Sequence, residues 1–234
     1  MTADNHSSPD LSSSDLSQDP PHLADSQSLA EALERCELKF EPQILNGLDA
    51  YREALWRWNE QLNLTRHTTF DKFVQRDVVD SLQLAELLGQ GERVLDVGTG
   101  GGVPGLILAI CRPDLQVSVC ESTQKKARVV QEMVTELELP VNVYACRAED
   151  VLDLKTFDTL VARAVASVTK LLTWLEPHWG AFDQLLLLKG RSWIDERGDA
   201  RHRGLLKSLE LRKAATYLMP GSGGESVILK ICQK

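Results

Sequence analysis

Between Val94 and Gly105 the chain reads Val-Leu-Asp-Val-Gly-Thr-Gly-Gly-Gly-Val-Pro-Gly, an apolar run that holds one acid and then breaks into five glycines within eight residues. Glycine lacks a Cβ and tolerates positive φ, so a strand that ends this way and leads into a helix lets backbone N–H groups approach a ligand closely. Asp96 stands two residues before Gly98, as it does in loops that bind S-adenosylmethionine. Gly100 to Gly105 equally satisfies the dinucleotide pattern G-x-G-x-x-G. Taken alone, this loop does not settle the matter: Asp96 favours methyl transfer over nicotinamide chemistry, and a purely structural strand-to-helix turn is the third reading.

An open α/β sheet binds ligands beyond the carboxyl ends of its strands, so further chemistry is expected at the other strand ends. The first strand supplies Asp96, Gly98, Gly100, Gly101 and Gly102. The second ends at Glu121, 21 residues after Gly100, where a carboxylate can accept hydrogen bonds from ribose hydroxyls; a surface acid at a helix start is the alternative. The third is followed by Arg147-Ala148-Glu149-Asp150, which is either the adenine end of a methyltransferase site or an ordinary acidic helix start. The fourth ends at Ala162-Arg163-Ala164, where an arginine inside an apolar stretch requires a partner. The fifth ends at Leu188-Lys189-Gly190, and Lys189 is either a substrate contact or a solvated strand end.

Certain chemistries lack their residues. None of the five cysteines follows a proline, as a nucleophile that methylates pyrimidine carbon would require. No Asn/Asp-Pro-Pro-aromatic segment follows the fourth strand, and none of the five histidines is well placed as a base. An acceptor that needs no deprotonation reconciles these absences. Guanine N7 is one, because it presents a bare lone pair, and catalysis then rests on alignment and exclusion of water. No catalytic residue is assigned, and no metal-ligand spacing is present.

The elements that must position these residues follow from the pattern. Residues 1–26 are rich in Ser, Asp and Pro with little to bury, and a disordered acidic tail is expected there. Residues 27–90 are expected to form a helical cap: Ser28 and Glu31 make a capping box for a helix through about Leu38, and Pro42 opens a longer one along Leu45, Leu48, Tyr51, Leu55, Trp58 and Leu62. Trp56 and Trp58 are read as packing residues, and 69–88 as one or two further helices. Residues 91–234 form the ligand-binding domain. Strands at 93–97, 116–120, 141–145, 157–162 and 183–188 alternate with helices near 104–111, 123–138 and 167–177, which implies a parallel sheet with right-handed crossovers. After a helix near 193–209, segments at 214–219 and 226–232 are joined by Pro220-Gly-Ser-Gly-Gly224, a hairpin. The expected fold class is α/β, a Rossmann-like seven-stranded, mostly parallel sheet with an antiparallel last strand, which suits methyltransferases better than nicotinamide enzymes.

The 234 residues suffice for one such domain with an extension. Five aspartates and no Lys or Arg in 1–30 account for −5 of the net charge of −8, leaving −3 for the rest. The cysteines are read as core-filling thiols in a reducing compartment, and neither a membrane span nor a signal peptide is evident, so a cytoplasmic protein is expected.

From about Leu45 to its end the chain resembles the bacterial 16S ribosomal RNA guanine-N7 methyltransferases of the RsmG (GidB) type. The motifs are Trp58-Asn-Glu-Gln-Leu-Asn-Leu-Thr65, Arg76-Asp-Val-Val-Asp-Ser-Leu82, Leu95 to Gly105, Arg147-Ala-Glu149, Arg163-Ala-Val-Ala-Ser167 and Leu188-Lys-Gly190. The resemblance implies S-adenosylmethionine contacts at Gly98, Val103, Ala148, Glu149 and Arg163, which join Asp96, Gly100, Gly102 and Glu121 from the strand ends. It places Asn63, Arg76, Asp80 and Lys189 on the substrate side. The chain departs from the family at Asp77, where His is usual, at Glu121, where Asp is usual, and at Val103, often an aromatic or Leu. The implied partner is 16S rRNA or the small ribosomal subunit, bound by a monomer. Positive surface for it is expected at Lys125, Lys126 and Arg128, or within 189–213, which hold eight Lys or Arg against four acids. The competing readings are an NAD-dependent oxidoreductase and a non-catalytic RNA-binding assembly factor.

Overall fold

The structure is a computed structural model that describes residues 24–221 and 223–234. The tail expected over 1–26 therefore lies almost wholly outside the described residues. Ser26 does not behave as tail: it is buried, and its N–H and Oγ both donate to the Asp71 carboxylate at 2.7 Å.

The cap begins with α1 (Leu29–Arg35), whose N-terminus is satisfied by Ser28 Oγ accepting from the Glu31 N–H at 3.2 Å, while the Gln27 N–H donates to Glu31. It stops three residues short of the expected Leu38 because Glu37 takes a left-handed φ of +56°. Helix α2 (Pro42–Asn59) starts at a proline that needs no N–H partner in the first turn, and buries Leu48, Tyr51 and Leu55. Trp56 packs on Phe70 and donates its indole N–H to the His67 carbonyl, and the Arg52 guanidinium sits 4.6 Å from its ring centre. That is the packing role expected of it. A continuous helical segment follows as α3 (Phe70–Lys72), a π-helical stretch at Phe73–Val78, and α4 (Val79–Ala85). The wide π turns carry Arg76 and Asp77, and π geometry of this kind is concentrated at functional sites.

Among the described residues seven strands form one sheet in the order β3-β2-β1-β4-β5-β7-β6. They are β1 (Arg93–Val97), β2 (Gln116–Cys120), β3 (Asn142–Tyr144), β4 (Phe157–Arg163), β5 (Phe182–Lys189), β6 (Leu209–Leu218) and β7 (Glu225–Gln233). The first five are mutually parallel, and β7 runs antiparallel to both neighbours, as expected of the final hairpin. Crossover helices α5 (Gly105–Cys111), α6 (Gln124–Glu136), α7 (Ala148–Leu152) and α8 (Val168–Leu175) cover the sheet, and α9 (Trp193–His202) leads into β6. Both faces are therefore buried, which is why Leu185 to Leu188 and Ile228 to Ile231 read as nearly unbroken apolar runs.

Two boundaries near the end of the chain also differ from the sequence expectation. α9 ends at His202 instead of near 209 because Gly204, at φ +78°, terminates it, and β6 starts at Leu209 instead of 214 because β7 pairs with it from that point. The cysteines are free thiols, and burial pushes Cys111 and Cys120 up to about 12, which leaves them protonated and inert. Among the described residues no helix is long and apolar enough to cross a membrane, and no cluster of His, Cys, Asp or Glu could hold a metal ion.

Candidate functional site

A cleft of about 500 Å³ opens at the carboxyl ends of β1, β2 and β4. Of the residues expected to contact a cofactor, Gly98, Gly100, Val103, Glu121, Ala148, Glu149 and Arg163 line it. The topology brings them together, since parallel strands end on one side of the sheet.

Asp96 and Gly102 do not line it. Asp96 is fully buried beneath the glycine loop, where Oδ2 accepts from Thr99 Oγ1 at 2.5 Å and from the Gly105 N–H at 2.8 Å. Burial raises its carboxyl to about 6, with the Thr99 and Gly105 hydrogen bonds opposing the rise, and Oδ1 has no hydrogen-bond partner among the described residues. Its role is to tie the end of β1 to the first turn of α5. At Gly102 an added Cβ would sit 2.7 Å from Leu106 and 3.2 Å from the Tyr51 hydroxyl, so its glycine serves packing of the loop on the cap.

Gly98 and Gly100 both have left-handed φ, +66° and +60°. A Cβ at Gly98 would lie 2.9 Å from Val165, whereas one at Gly100 meets nothing within 4 Å and would enter open space. Glu121 secures the loop from the opposite side, with Oε2 accepting from the Gly100 N–H at 3.1 Å and Oε1 from the Thr123 N–H at 2.7 Å. Each carboxylate oxygen retains a lone pair for a hydroxyl donor. Where the family usually has Asp, this glutamate reaches the same place with one more methylene.

The cap closes the other side of the cleft. Tyr51 donates its hydroxyl to the Gly101 carbonyl at 2.9 Å, and a Cβ at Gly101 would meet Leu55 at 2.9 Å, so α2 lies directly on the loop. Leu64 and Thr65 form part of the lining, held in a turn by Asn59 Oδ1, which accepts from both of their N–H groups at 2.8 and 2.9 Å. This function of Asn59 was not read from the sequence, although it lies within the Trp58 to Thr65 motif. Trp174, on α8, was also missed; it is 36% exposed and lines the cleft beside Leu171 and Leu175. Leu171, Leu172 and Leu175 make the buried face of this helix, and a large aromatic beside that face was the available signal.

Arg163 reaches the cleft but also has partners in the cap. Its guanidinium lies 2.7 Å from Asp77, donates to the Arg76 carbonyl at 2.8 Å and approaches Asp80 at 3.5 Å. Asp77 is wholly buried and pairs with His67 Nδ1 at 2.8 Å as well. The acid that departs from the family pattern is thus the counter-ion of Arg163. Asp80, expected on the substrate side, is 1% exposed and accepts from the Tyr217 hydroxyl at 2.7 Å. Burial raises its carboxyl, against the Tyr217 hydrogen bond and the charges of Arg163 and Arg76. Lys189 is likewise committed internally: its Nζ donates to the Ala166 carbonyl at 2.6 Å and to Glu196 at 2.8 Å, which knits the ends of β4 and β5 to α9. Of the four residues expected on the substrate side, Asn63 and Arg76 remain open to solvent.

The cleft fits S-adenosylmethionine. It has the volume of a small-ligand site, a glycine edge without side chains, a carboxylate with free lone pairs and an apolar wall at Ala148, Leu171 and Trp174. Strand order, glycine loop and Glu121 place the protein in the Rossmann-like class to which S-adenosylmethionine-dependent methyltransferases belong. Solved structures share this fold: an O-methyltransferase from Bacillus cereus in complex with SAH (TM-score 0.55, 18% identity, covering 79% of this chain and 90% of that one) and a mutant of MtNAS in complex with S-adenosylmethionine (TM-score 0.54, 17% identity, 82% and 75%). The family model for GidB, rRNA small subunit methyltransferase G, matches residues 44–218, and the chain belongs to that family. Ribosomal RNA small subunit methyltransferase G of Rhodopirellula baltica is 56% identical over 186 residues, covering 80% of each chain. The namesake from Desulfotalea psychrophila is 32% identical over 187 residues, 78% of this chain and 86% of that relative. The nicotinamide reading of the glycine loop is thereby set aside.

Proposed function

We propose that this protein transfers the methyl group of S-adenosylmethionine to N7 of a guanine in 16S rRNA, acting as a cytoplasmic monomer on the rRNA or the small ribosomal subunit. The observation that carries the reading is the open edge at Gly100, whose N–H is held by Glu121, in a chain of the small-subunit methyltransferase family. When bound, S-adenosylmethionine supplies an electrophilic methyl group.

The chain's own residues bind and orient. Glu121 accepts from ribose hydroxyls with the lone pairs that Gly100 and Thr123 leave free. Ala148, Leu171 and Trp174 wall the adenine end, and Leu55, Leu64 and Thr65 shield the loop from water on the cap side. Guanine N7 has no proton to lose, so the reaction proposed here calls for no general base. The rate then derives from alignment in a site shielded from water.

Mass spectrometry of 16S rRNA nucleosides tests the reading. Unmodified 16S rRNA or small subunits incubated with the protein and S-adenosylmethionine should gain 7-methylguanosine. An unchanged nucleoside profile, or methylation of another atom, overturns it.

A further inference from the structure

A second concave site lies at the far end of the sheet. Arg197 and Arg201 of α9, Lys207 of the following turn and Lys234 surround a pocket of about 300 Å³ floored by Leu209 and Leu211 of β6, and among the described residues no Asp or Glu lines it. Arg201 and Lys207 are exposed and Arg197 is half-buried, and these three side chains form no ion pair or hydrogen bond among the described residues. Arg197 instead rests over the Trp193 ring at 5.9 Å. Lys234 donates to the Lys207 carbonyl at 2.7 Å, which holds the Lys207 turn against the end of β7. Like charges gathered in a concavity without counter-ions repel one another, and the arrangement is relieved when an anion enters.

The strand pairings locate this pocket relative to the cleft. Glu210 is level with Cys232, Gln184, Thr159 and Val94, four residues before Gly98 and four strands away from it. At about 3.3 Å per residue and about 4.8 Å per strand the separation is roughly 23 Å. A ligand that contacts both sites must extend well beyond a single nucleotide.

We propose that the Arg197–Arg201–Lys207 pocket is a remote docking site for the phosphate backbone of folded rRNA, engaged while the reacting base occupies the cleft. The inference rests on the function proposed above and adds a second anchoring point to it. Arginine forks suit phosphate oxygens, and a folded RNA presents phosphates at this distance from a base. The eight basic residues noted in 189–213 thereby divide, with Lys189 internal and three at this pocket.

The test is titration of unmodified 16S rRNA with wild type and with the triple variant Arg197→Gln, Arg201→Gln, Lys207→Gln across a range of salt concentrations. Affinity of the variant should fall roughly tenfold near 0.1 M salt, and the slope of log K against log salt should decrease by about two. S-adenosylmethionine affinity by calorimetry should stay within about twofold, because the two sites are separate. Lys207→Glu with Arg201→Glu, at exposed positions, repeats the measurement without disturbing packed atoms. Variants that bind rRNA with wild-type affinity and slope overturn the inference alone. Wild type that neither binds nor methylates 16S rRNA overturns the proposed function along with it.

Discussion

The Arg163 guanidinium, at the end of β4, lies 2.7 Å from the carboxylate of Asp77, a fully buried residue of the cap 86 positions earlier in the chain. One charge pair thus joins the cap to the sheet at the border of the cofactor cleft. Removing either member leaves the other its remaining partners, His67 for Asp77 and Asp80 with the Arg76 carbonyl for Arg163, but takes away its nearest charge, so Asp77→Ala and Arg163→Ala should each destabilise by about 2 kcal/mol. The double variant should lose less than the sum, with a coupling of at least about 1.5 kcal/mol in urea unfolding. Additive losses would place the stabilising partner of Arg163 elsewhere.

Asp96 gives a pH dependence of defined sign. Burial raises its folded carboxyl from 3.8 to about 6, so the folded state binds the proton more tightly than the unfolded chain. The contribution to stability is fully present below the unfolded value and is lost as pH rises through about 6. Asp96→Asn has no proton to release there. Between pH 4 and pH 7 the unfolding free energy of wild type should therefore fall relative to that of Asp96→Asn by about 2 kcal/mol, measured by denaturant titration at each pH. A constant difference would contradict it.

Gly98 and Gly100 share a left-handed backbone but not its surroundings. Gly98→Ala should cost about 2 kcal/mol from φ strain together with the Val165 contact, and Val165→Ala should restore part of that loss. Gly100→Ala should cost about 1 kcal/mol of stability and weaken S-adenosylmethionine binding, since the methyl group enters open cleft space. Thermal unfolding and calorimetry separate the two effects.

Lys189 is predicted to act on stability. Lys189→Ala breaks its hydrogen bonds to Ala166 and Glu196 and should cost about 2 kcal/mol, with S-adenosylmethionine affinity within about twofold of wild type. Unchanged stability with weakened rRNA binding would return Lys189 to the substrate side, where the family resemblance puts it.

Trp174 offers an optical readout. Its half-exposed ring lines the cleft, so adding S-adenosylmethionine should change tryptophan fluorescence. Trp174→Ala should abolish that change and weaken binding about fivefold, as expected for the loss of about 1 kcal/mol of aromatic contact, while Trp174→Phe retains most of the affinity.

Much of the architecture was legible because its determinants are local. Ser28 and Glu31 marked a helix start, the apolar runs from Val94 onward marked strands buried on both faces, and Pro220 to Gly224 marked the closing hairpin. Element ends were less legible. The positive φ of Glu37 and of Gly204 stops α1 and α9 early, and no composition signal around Glu37 announces it. The glycine loop, Glu121, Ala148 and Glu149 could be placed because parallel strands deliver their ends to one crevice whatever the side chains do next.

The sequence by itself determined the fold class, the strand ends that meet at the cleft and the family, since periodicity, turn chemistry and motif order all reside along the chain. Only the tertiary structure decided which charges face a ligand and which are used up internally. Asp96 serves the loop, Arg163 pairs with Asp77, and Lys189 is held by Glu196. The physical reason is that desolvation and Coulomb energy depend on distances of a few ångströms between segments far apart in sequence, and those distances exist only once the core has packed.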